Sequence, residues 1–145
     1  MHTTLVRALS LALVPLVALA AWALPAAANS TTAATTTVHV VAAPNHDEFS
    51  FKLSTKTVAP GTITFSMTNT GTLPHDIRIC TKPLTAGQMK SLPNTCSAGV
   101  SSATISPGAK AATVKAPLKI KGHYEYLCTL PGHDAGGMKG DLTVT

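Results

Sequence analysis

From Val38 onward the sequence consists of short β-prone runs separated by Pro, Gly, Asn and Asp. Within several runs apolar residues alternate with polar ones, as at Ile63, Phe65 and Met67, which is the period expected of a half-buried strand. No long segment has the helical period, and no internal repeat is present. The pattern therefore predicts an all-β domain, either a sandwich or a barrel.

We expect about seven to eight strands from these runs. A weaker pattern at 85–92 predicts one short helix. The runs that we assign to strands are 38–41, 49–53, 63–67, 77–79, 111–114, 123–127 and 141–144.

The N-terminal segment has the features of a secretory signal. A positive region ending at Arg7 precedes an uncharged, apolar run, and Ala26 and Ala28 form a small-residue exit. We therefore interpret residues 1–28 as a signal peptide. A retained membrane anchor is the alternative, because residues 8–28 are long enough to span a bilayer. Either interpretation places the rest of the chain outside the cytoplasm, in the periplasm or on the extracytoplasmic face of the membrane.

Residues 29–37 are small and polar, which predicts a linker, and residues 38–145 are the length of one domain. The chain has a net charge of +5, but its lysines are scattered and never form a run of like charge. The charge pattern therefore argues against a nucleic-acid-binding arm.

Four side chains have the chemistry of a copper site. Cys128, His133 and Met138 follow one another at intervals of five residues in a Gly/Pro-rich stretch, and His75 lies upstream after a proline. In a strand-to-strand turn, Cys128 would end one strand and Met138 would begin the next. One thiolate, two imidazoles and an axial thioether are the ligands of a mononuclear blue copper centre. Zinc competes for such ligands, but structural zinc sites use Cys and His without a thioether.

The three cysteines outside the predicted signal are Cys80, Cys96 and Cys128. An odd count in an exported protein indicates a thiol with another role, and three pairings are possible by counting alone. If Cys128 binds the metal, Cys80 and Cys96 are left to form a disulfide in an oxidising compartment.

The phrase GHYEYLCTLPGHDAGGMKG at 122–140 resembles the C-terminal copper loop of the cupredoxins, in the style of plastocyanin and auracyanin. The segment at 69–77, NTGTLPHDI, resembles the segment that carries the first ligand in that family. The resemblance covers residues 38–145. It implies a Greek-key β-sandwich that holds the metal at one end.

By the same resemblance, His75, Cys128 and His133 would be equatorial ligands and Met138 the axial ligand of one Cu(I)/Cu(II) ion per chain. Electrons would pass through an apolar surface patch near His133. For that patch the sequence offers Leu73, Leu130 and Pro131.

The leading hypothesis is an exported one-electron carrier, with no enzymatic activity, that contacts redox proteins transiently. We expect a monomer that binds no nucleic acid and contacts a membrane only if the N-terminal segment is retained. A copper enzyme would need a second copper centre, usually reached through a histidine beside the ligand cysteine, and here the neighbours are Leu127 and Thr129. Copper delivery or storage could use the same ligands and stays an alternative.

The sequence contains other polar residues that are weaker candidates for a role at the metal site. Asp76 either hydrogen-bonds near the ligands and orients them, or is a solvated turn residue. His39 and His123 are expected in strands and His46 in a turn, without a role as ligands.

Overall fold

The structure is a computed structural model that describes residues 35–93 and 96–145. The predictions of a signal peptide or anchor at 1–28, and of the linker as far as residue 34, lie outside the described residues. Within the described residues, none of the helices is both long and apolar enough to cross a membrane.

The described residues form nine strands, one 3₁₀ turn at Pro44–His46 and one α-helix. The helix, α1, spans Ala86–Lys90. The strands are β1 Thr36–Ala42, β2 Phe51–Leu53, β3 Thr57–Val58, β4 Gly61–Asn69, β5 Arg78–Cys80, β6 Gly99–Ser101, β7 Ala112–Leu118, β8 Gly122–Leu127 and β9 Lys139–Val144.

The strands form two mixed sheets. The first has the order β2-β1-β4-β7 and the second the order β3-β9-β8-β5-β6. Strands β1 and β4 are parallel, as are β3 and β9, and the other pairs are antiparallel. Pro117, which cannot donate to a ladder, lies in β7 at the edge of the first sheet.

The core lies between the two sheets, and the alternation of the sequence defines it. In β4, Ile63, Phe65 and Met67 are buried while the intervening side chains are more exposed. Tyr124 of β8 and Leu142 of β9 belong to the same buried cluster and come from the second sheet. The prediction of an all-β sandwich is therefore confirmed.

Three details differ from the sequence-based prediction. Thr36 and Thr37, at the end of the predicted linker 29–37, already belong to β1. The strand predicted at 49–53 is shorter in the structure. It begins only at Phe51, and Phe49 lies outside β2 with 41% of its surface exposed. Strands β3 and β6 were not predicted, since two or three residues are too few to show an alternation. The short helix is present, and a capping box between Thr85 and Gln88 fixes its start.

The disulfide between Cys80 and Cys96 is confirmed, and it joins the end of β5 to the segment before β6. Cys128 is a free, buried cysteine.

Removing this disulfide should destabilise the domain while leaving the third cysteine untouched. The bond closes a loop with a sequence separation of 16, so the double change Cys80→Ala/Cys96→Ala should lower the free energy of unfolding by about 3 kcal/mol. Denaturant unfolding of the metal-free protein measures the difference, with reduced wild-type protein as a reference. An unchanged unfolding midpoint would contradict the expectation.

Candidate metal centre

The loop between β8 and β9 is tied together at its two ends. Cys128 directly follows β8, Met138 directly precedes β9, and the Cys128 amide donates to the Met138 carbonyl at 2.9 Å. Inside the loop, the Met138 amide donates to the His133 carbonyl at 2.9 Å. Gly132 and Gly137 have φ values of 83° and 115°, which favour glycine. The tight turn thus brings the ends of the Cys–His–Met segment close together.

His75 lies in a second loop, between β4 and β5, that is also fixed by its backbone. Its amide donates to the Ile105 carbonyl at 3.1 Å, and the Ile105 amide donates to the His75 carbonyl at 2.8 Å. The buried Asn69 side chain donates to the Leu73 carbonyl at 2.7 Å and accepts from the Gly71 amide at 2.9 Å. The imidazole of His75 is fully buried.

The two loops bring three of the predicted ligands together. The ligand atoms of His75, Cys128 and His133 all lie within 4.8 Å of one another. The Nδ1 atoms of the two histidines are 3.2 Å apart, and the Cys128 sulfur is 3.5 Å from Nδ1 of His133. Two Nδ1 nitrogens and one sulfur therefore point at a common centre.

The fourth predicted ligand is buried in the same region. Met138 is fully buried and belongs to the same core cluster as Cys128. Its amide and carbonyl are bonded to His133 and Cys128 as described above. The role of all four residues as ligands stays a prediction. His39 and His123 lie in strands β1 and β8, and His46 lies in the 3₁₀ turn, as expected.

Burial changes the protonation of two of the predicted ligands in the metal-free protein. Burial raises the pKa of the Cys128 thiol to about 11, and a metal must therefore displace its proton in order to bind. Burial, together with the nearby His75, lowers the pKa of His133. The lowered pKa favours the neutral form of His133, in which one ring nitrogen has a lone pair available for a metal.

Glu48 was missed by the sequence analysis. Its Oε2 atom is 3.2 Å from Nε2 of His75, and its Oε1 accepts from the amide and hydroxyl of Thr72 at 2.6 and 2.8 Å. These hydrogen bonds from Thr72, with weaker ones from His75 and Leu73, hold the pKa of the carboxyl at about 2. Glu48 precedes His75 by 27 residues, and no local motif joins the two.

Asp76 joins the two loops. The residue is 5% exposed, and its carboxylate accepts from the Thr129 amide at 2.6 Å and from the Thr129 hydroxyl. Thr129 follows Cys128 and Asp76 follows His75, so this contact fixes the two predicted ligands relative to each other. Of the two interpretations from sequence, the solvated turn residue is therefore excluded.

The surface beside His133 is partly apolar. The ring of Phe49 lies edge-on to His133, with ring centroids 5.4 Å apart. Leu73, in the loop that carries His75, is 40% exposed. Pro131 is exposed and Leu130 is half-buried. Phe49 was expected in a half-buried strand, and it lies instead at this surface.

The donor set fits copper. One thiol and two imidazole nitrogens converge, and the buried thioether of Met138 lies in the same loop as Cys128 and His133. Glu48 contacts Nε2 of His75 and not the Nδ1 that faces His133. Thiolate and thioether suit Cu(I), and imidazole suits both oxidation states. Mg²⁺ and Ca²⁺ prefer oxygen ligands, so a site of this composition is unsuited to them.

Comparison with known proteins agrees with this chemistry. The sequence matches the model of the copper-binding protein family described as the plastocyanin/azurin family over residues 37–145. The chain therefore belongs to this family: it is a cupredoxin, and its metal is copper. No curated protein sequence matches the chain significantly.

Solved cupredoxin structures have the same fold. Reduced auracyanin from Roseiflexus castenholzii is 25% identical, with a TM-score of 0.57 over 77% of this chain and 98% of the auracyanin. Rusticyanin from Thiobacillus ferrooxidans is 26% identical, with a TM-score of 0.55 over 77% of each chain. Auracyanin A from Chloroflexus aurantiacus, described as a "blue" copper protein, is 22% identical, with a TM-score of 0.54 over 77% of this chain and 99% of its own, and supports the fold alone.

Proposed function

We propose that this protein is an exported one-electron carrier with a single type 1 copper site. His75, Cys128 and His133 would hold the ion in the equatorial positions, with Met138 as the axial ligand. The observation that carries the proposal is that the ligand atoms of His75, Cys128 and His133 lie within 4.8 Å of one another, with the two histidine Nδ1 atoms 3.2 Å apart. Copper bound there supplies a one-electron couple between Cu(I) and Cu(II).

The chain's own contribution to this function is rigidity. His75 is fixed by its backbone bonds to Ile105, and Cys128 by its bond to Met138. Asp76 and Thr129 lock the two loops to each other. Ligands held in this way keep their positions when the charge of the site changes, which lowers the reorganisation that an electron transfer requires.

Partner contact would occur beside His133. Phe49, Leu73, Leu130 and Pro131 would form the apolar rim of this small, transient redox interface. Export is supported by the predicted signal at 1–28 and by the Cys80–Cys96 disulfide, which an oxidising compartment permits. We expect a monomer with no enzymatic activity.

The proposal is tested by cycling copper-loaded, full-length protein with a one-electron reductant and oxidant. A carrier should take up one electron per chain reversibly and retain its copper through repeated cycles. Release of copper to a competing chelator on reduction, without a reversible couple, would contradict the proposal and favour copper delivery or storage.

The charge of Asp76 should lower the reduction potential, because a nearby negative charge favours the more positive, oxidised ion. The change Asp76→Asn keeps an oxygen that can accept from the Thr129 amide, as Asp76 does now. We expect its potential to rise by about 50–100 mV, as for one charge removed near a partly buried site. Voltammetry of both copper-loaded proteins measures the shift.

The matched control is Asp141→Asn, which removes the same charge from a side chain that is 44% exposed. Solvent and salt screen that charge, so the potential of this variant should be close to that of the wild type. Equal shifts in the two variants would show that Asp76 has no special influence on the site.

A further inference from the structure

Glu48 contacts His75 on the side of the ring that faces away from the predicted metal position. Nε2 of His75 is 3.2 Å from Oε2 of Glu48, while Nδ1 of the same ring is 3.2 Å from Nδ1 of His133. The two nitrogens of one buried imidazole therefore have different partners. One nitrogen faces a carboxylate and the other faces the site.

This arrangement selects one form of the neutral imidazole. An ionised carboxylate can only accept hydrogen bonds, so Nε2 of His75 must carry the hydrogen and donate it to Glu48. Nδ1 is then left with its lone pair directed toward Cys128 and His133, whose ligand atoms lie within 4.8 Å. A histidine ligand is commonly oriented by a hydrogen bond at its second nitrogen.

The Glu48 carboxylate is itself held in place. Besides the two hydrogen bonds from Thr72, it accepts from the Leu73 amide at 3.3 Å. A side chain at Gly71 would collide with Oε2 of Glu48 and with Cβ of Ala43, so the glycine leaves room for this approach. The loop that carries His75 thus also binds the carboxylate that contacts His75.

The backbone before Glu48 forms an irregular turn that places the Glu48 side chain beside His75. Ala43 and Asn45 have φ values of 53° and 56°, a conformation that is uncommon for residues other than glycine. The Ala43 amide donates to the Ser50 carbonyl at 3.1 Å, which closes this segment around Glu48. Backbone strain of this kind is maintained only where the surrounding structure supports it.

We infer that Glu48 is a positioning residue of the copper site, which fixes the orientation and tautomer of His75 and places one negative charge behind that ligand. The inference rests on the proposed function, because it takes His75 as a ligand through Nδ1. It assigns a role to a residue from a distant segment that the sequence motifs do not include. The charge should favour Cu(II), and the hydrogen bond should keep the imidazole ready to bind.

The first test needs no metal. In full-length, metal-free protein, nitrogen NMR of the imidazoles should show His75 in a single tautomer with hydrogen on Nε2. In Glu48→Ala both tautomers should be populated, whereas Glu48→Gln retains an oxygen that can accept and should keep the wild-type tautomer. A single Nε2–H tautomer in Glu48→Ala would overturn the inference.

The second test uses the copper-loaded protein. Glu48→Gln should shift the equilibrium between Cu(II) and Cu(I) toward Cu(I) by about tenfold, because it removes the charge but not the acceptor. Glu48→Ala should in addition bind copper about 10- to 100-fold more weakly. An unchanged potential in both variants would contradict the inference, even if their stability falls, because a merely structural residue lowers stability alone.

Asp47 provides the matched control. It is the neighbouring carboxylate, and its side chain is exposed. Asp47→Asn and Asp47→Ala should leave the tautomer, the potential and the copper affinity close to wild type. If wild-type protein itself forms no blue site, the proposed function fails, but the NMR comparison still decides whether Glu48 orients His75.

Discussion

Replacing Cys128 by serine should abolish the visible colour of the copper-loaded protein. The fully buried Cys128 supplies the thiol that converges with His75 and His133, and it is the free cysteine among the residues that the structure describes. A serine hydroxyl does not ionise under these conditions, so no thiolate is left to form a charge-transfer band with copper. Visible absorption of both proteins, loaded with one equivalent of Cu(II), measures the effect.

Copper affinity should also fall in this variant, by more than about 100-fold. Loss of a residue that only hydrogen-bonds to a ligand lowers metal affinity by up to about 100-fold, and loss of the ligand itself should lower it further. Competition with a chelator of known affinity measures this. The matched control is Cys80→Ala/Cys96→Ala, which removes the other two cysteines and should retain the colour. A coloured Cys128→Ser protein would exclude Cys128 as the ligand.

The stability of the folded protein should depend on pH through the buried carboxyl group of Glu125. Glu125 in β8 is fully buried, and its Oε1 has no hydrogen-bond partner among the described residues. Burial raises its pKa from the ordinary 4.5 to about 7, although the positive charge of Lys139 partly opposes this. The folded protein therefore holds the Glu125 proton more tightly than the unfolded chain does.

The sign of the effect follows from that difference. Below pH 4.5 Glu125 is protonated in both the folded and the unfolded protein, so its titration does not change the free energy of unfolding. Between pH 4.5 and about 7 only the unfolded protein releases this proton, and the release stabilises the unfolded state. The free energy of unfolding should therefore fall as pH rises, by about 3 kcal/mol in total at this site. Glu125→Gln, which is neutral at every pH, should lack this loss.

Denaturant unfolding of metal-free protein at an acidic and a mildly alkaline pH provides the measurement. Wild type and Glu125→Gln should be similar at the acidic pH, and the variant should be the more stable protein at the alkaline pH. Comparing the two proteins at each pH cancels the titration of all other groups. Parallel pH profiles would show that Glu125 is not held protonated by the fold.

Local sequence patterns were sufficient to predict the fold class and to group Cys128, His133 and Met138 as ligands of one metal ion. Alternating residues such as Ile63 and Phe65 identify half-buried strands because the period of a strand is fixed by its geometry. Cys128 and His133 could be grouped because they lie in one short loop. His75 needed a chemical argument, since the remaining imidazole had to come from another part of the chain.

The long-range contacts could not be predicted in the same way. Glu48 reaches His75 because of an irregular turn at 43–50, and nothing in the sequence between them indicates this contact. The alternation at 49–53 wrongly placed Phe49 in a strand, whereas its ring lies against His133 from a distant part of the chain. The pairing of β1 with β4 depends on the whole sandwich, and their separate patterns carry no information about it.

The central claim is that His75, Cys128 and His133 form a blue copper site. The most direct test is to load the full-length protein with Cu(II) and to record its visible absorption and EPR spectra. We expect an intense charge-transfer band from the Cys128 thiolate together with narrow copper hyperfine splitting. A colourless protein, or an EPR spectrum with the wide splitting of copper bound only by nitrogen and oxygen, would contradict the assignment.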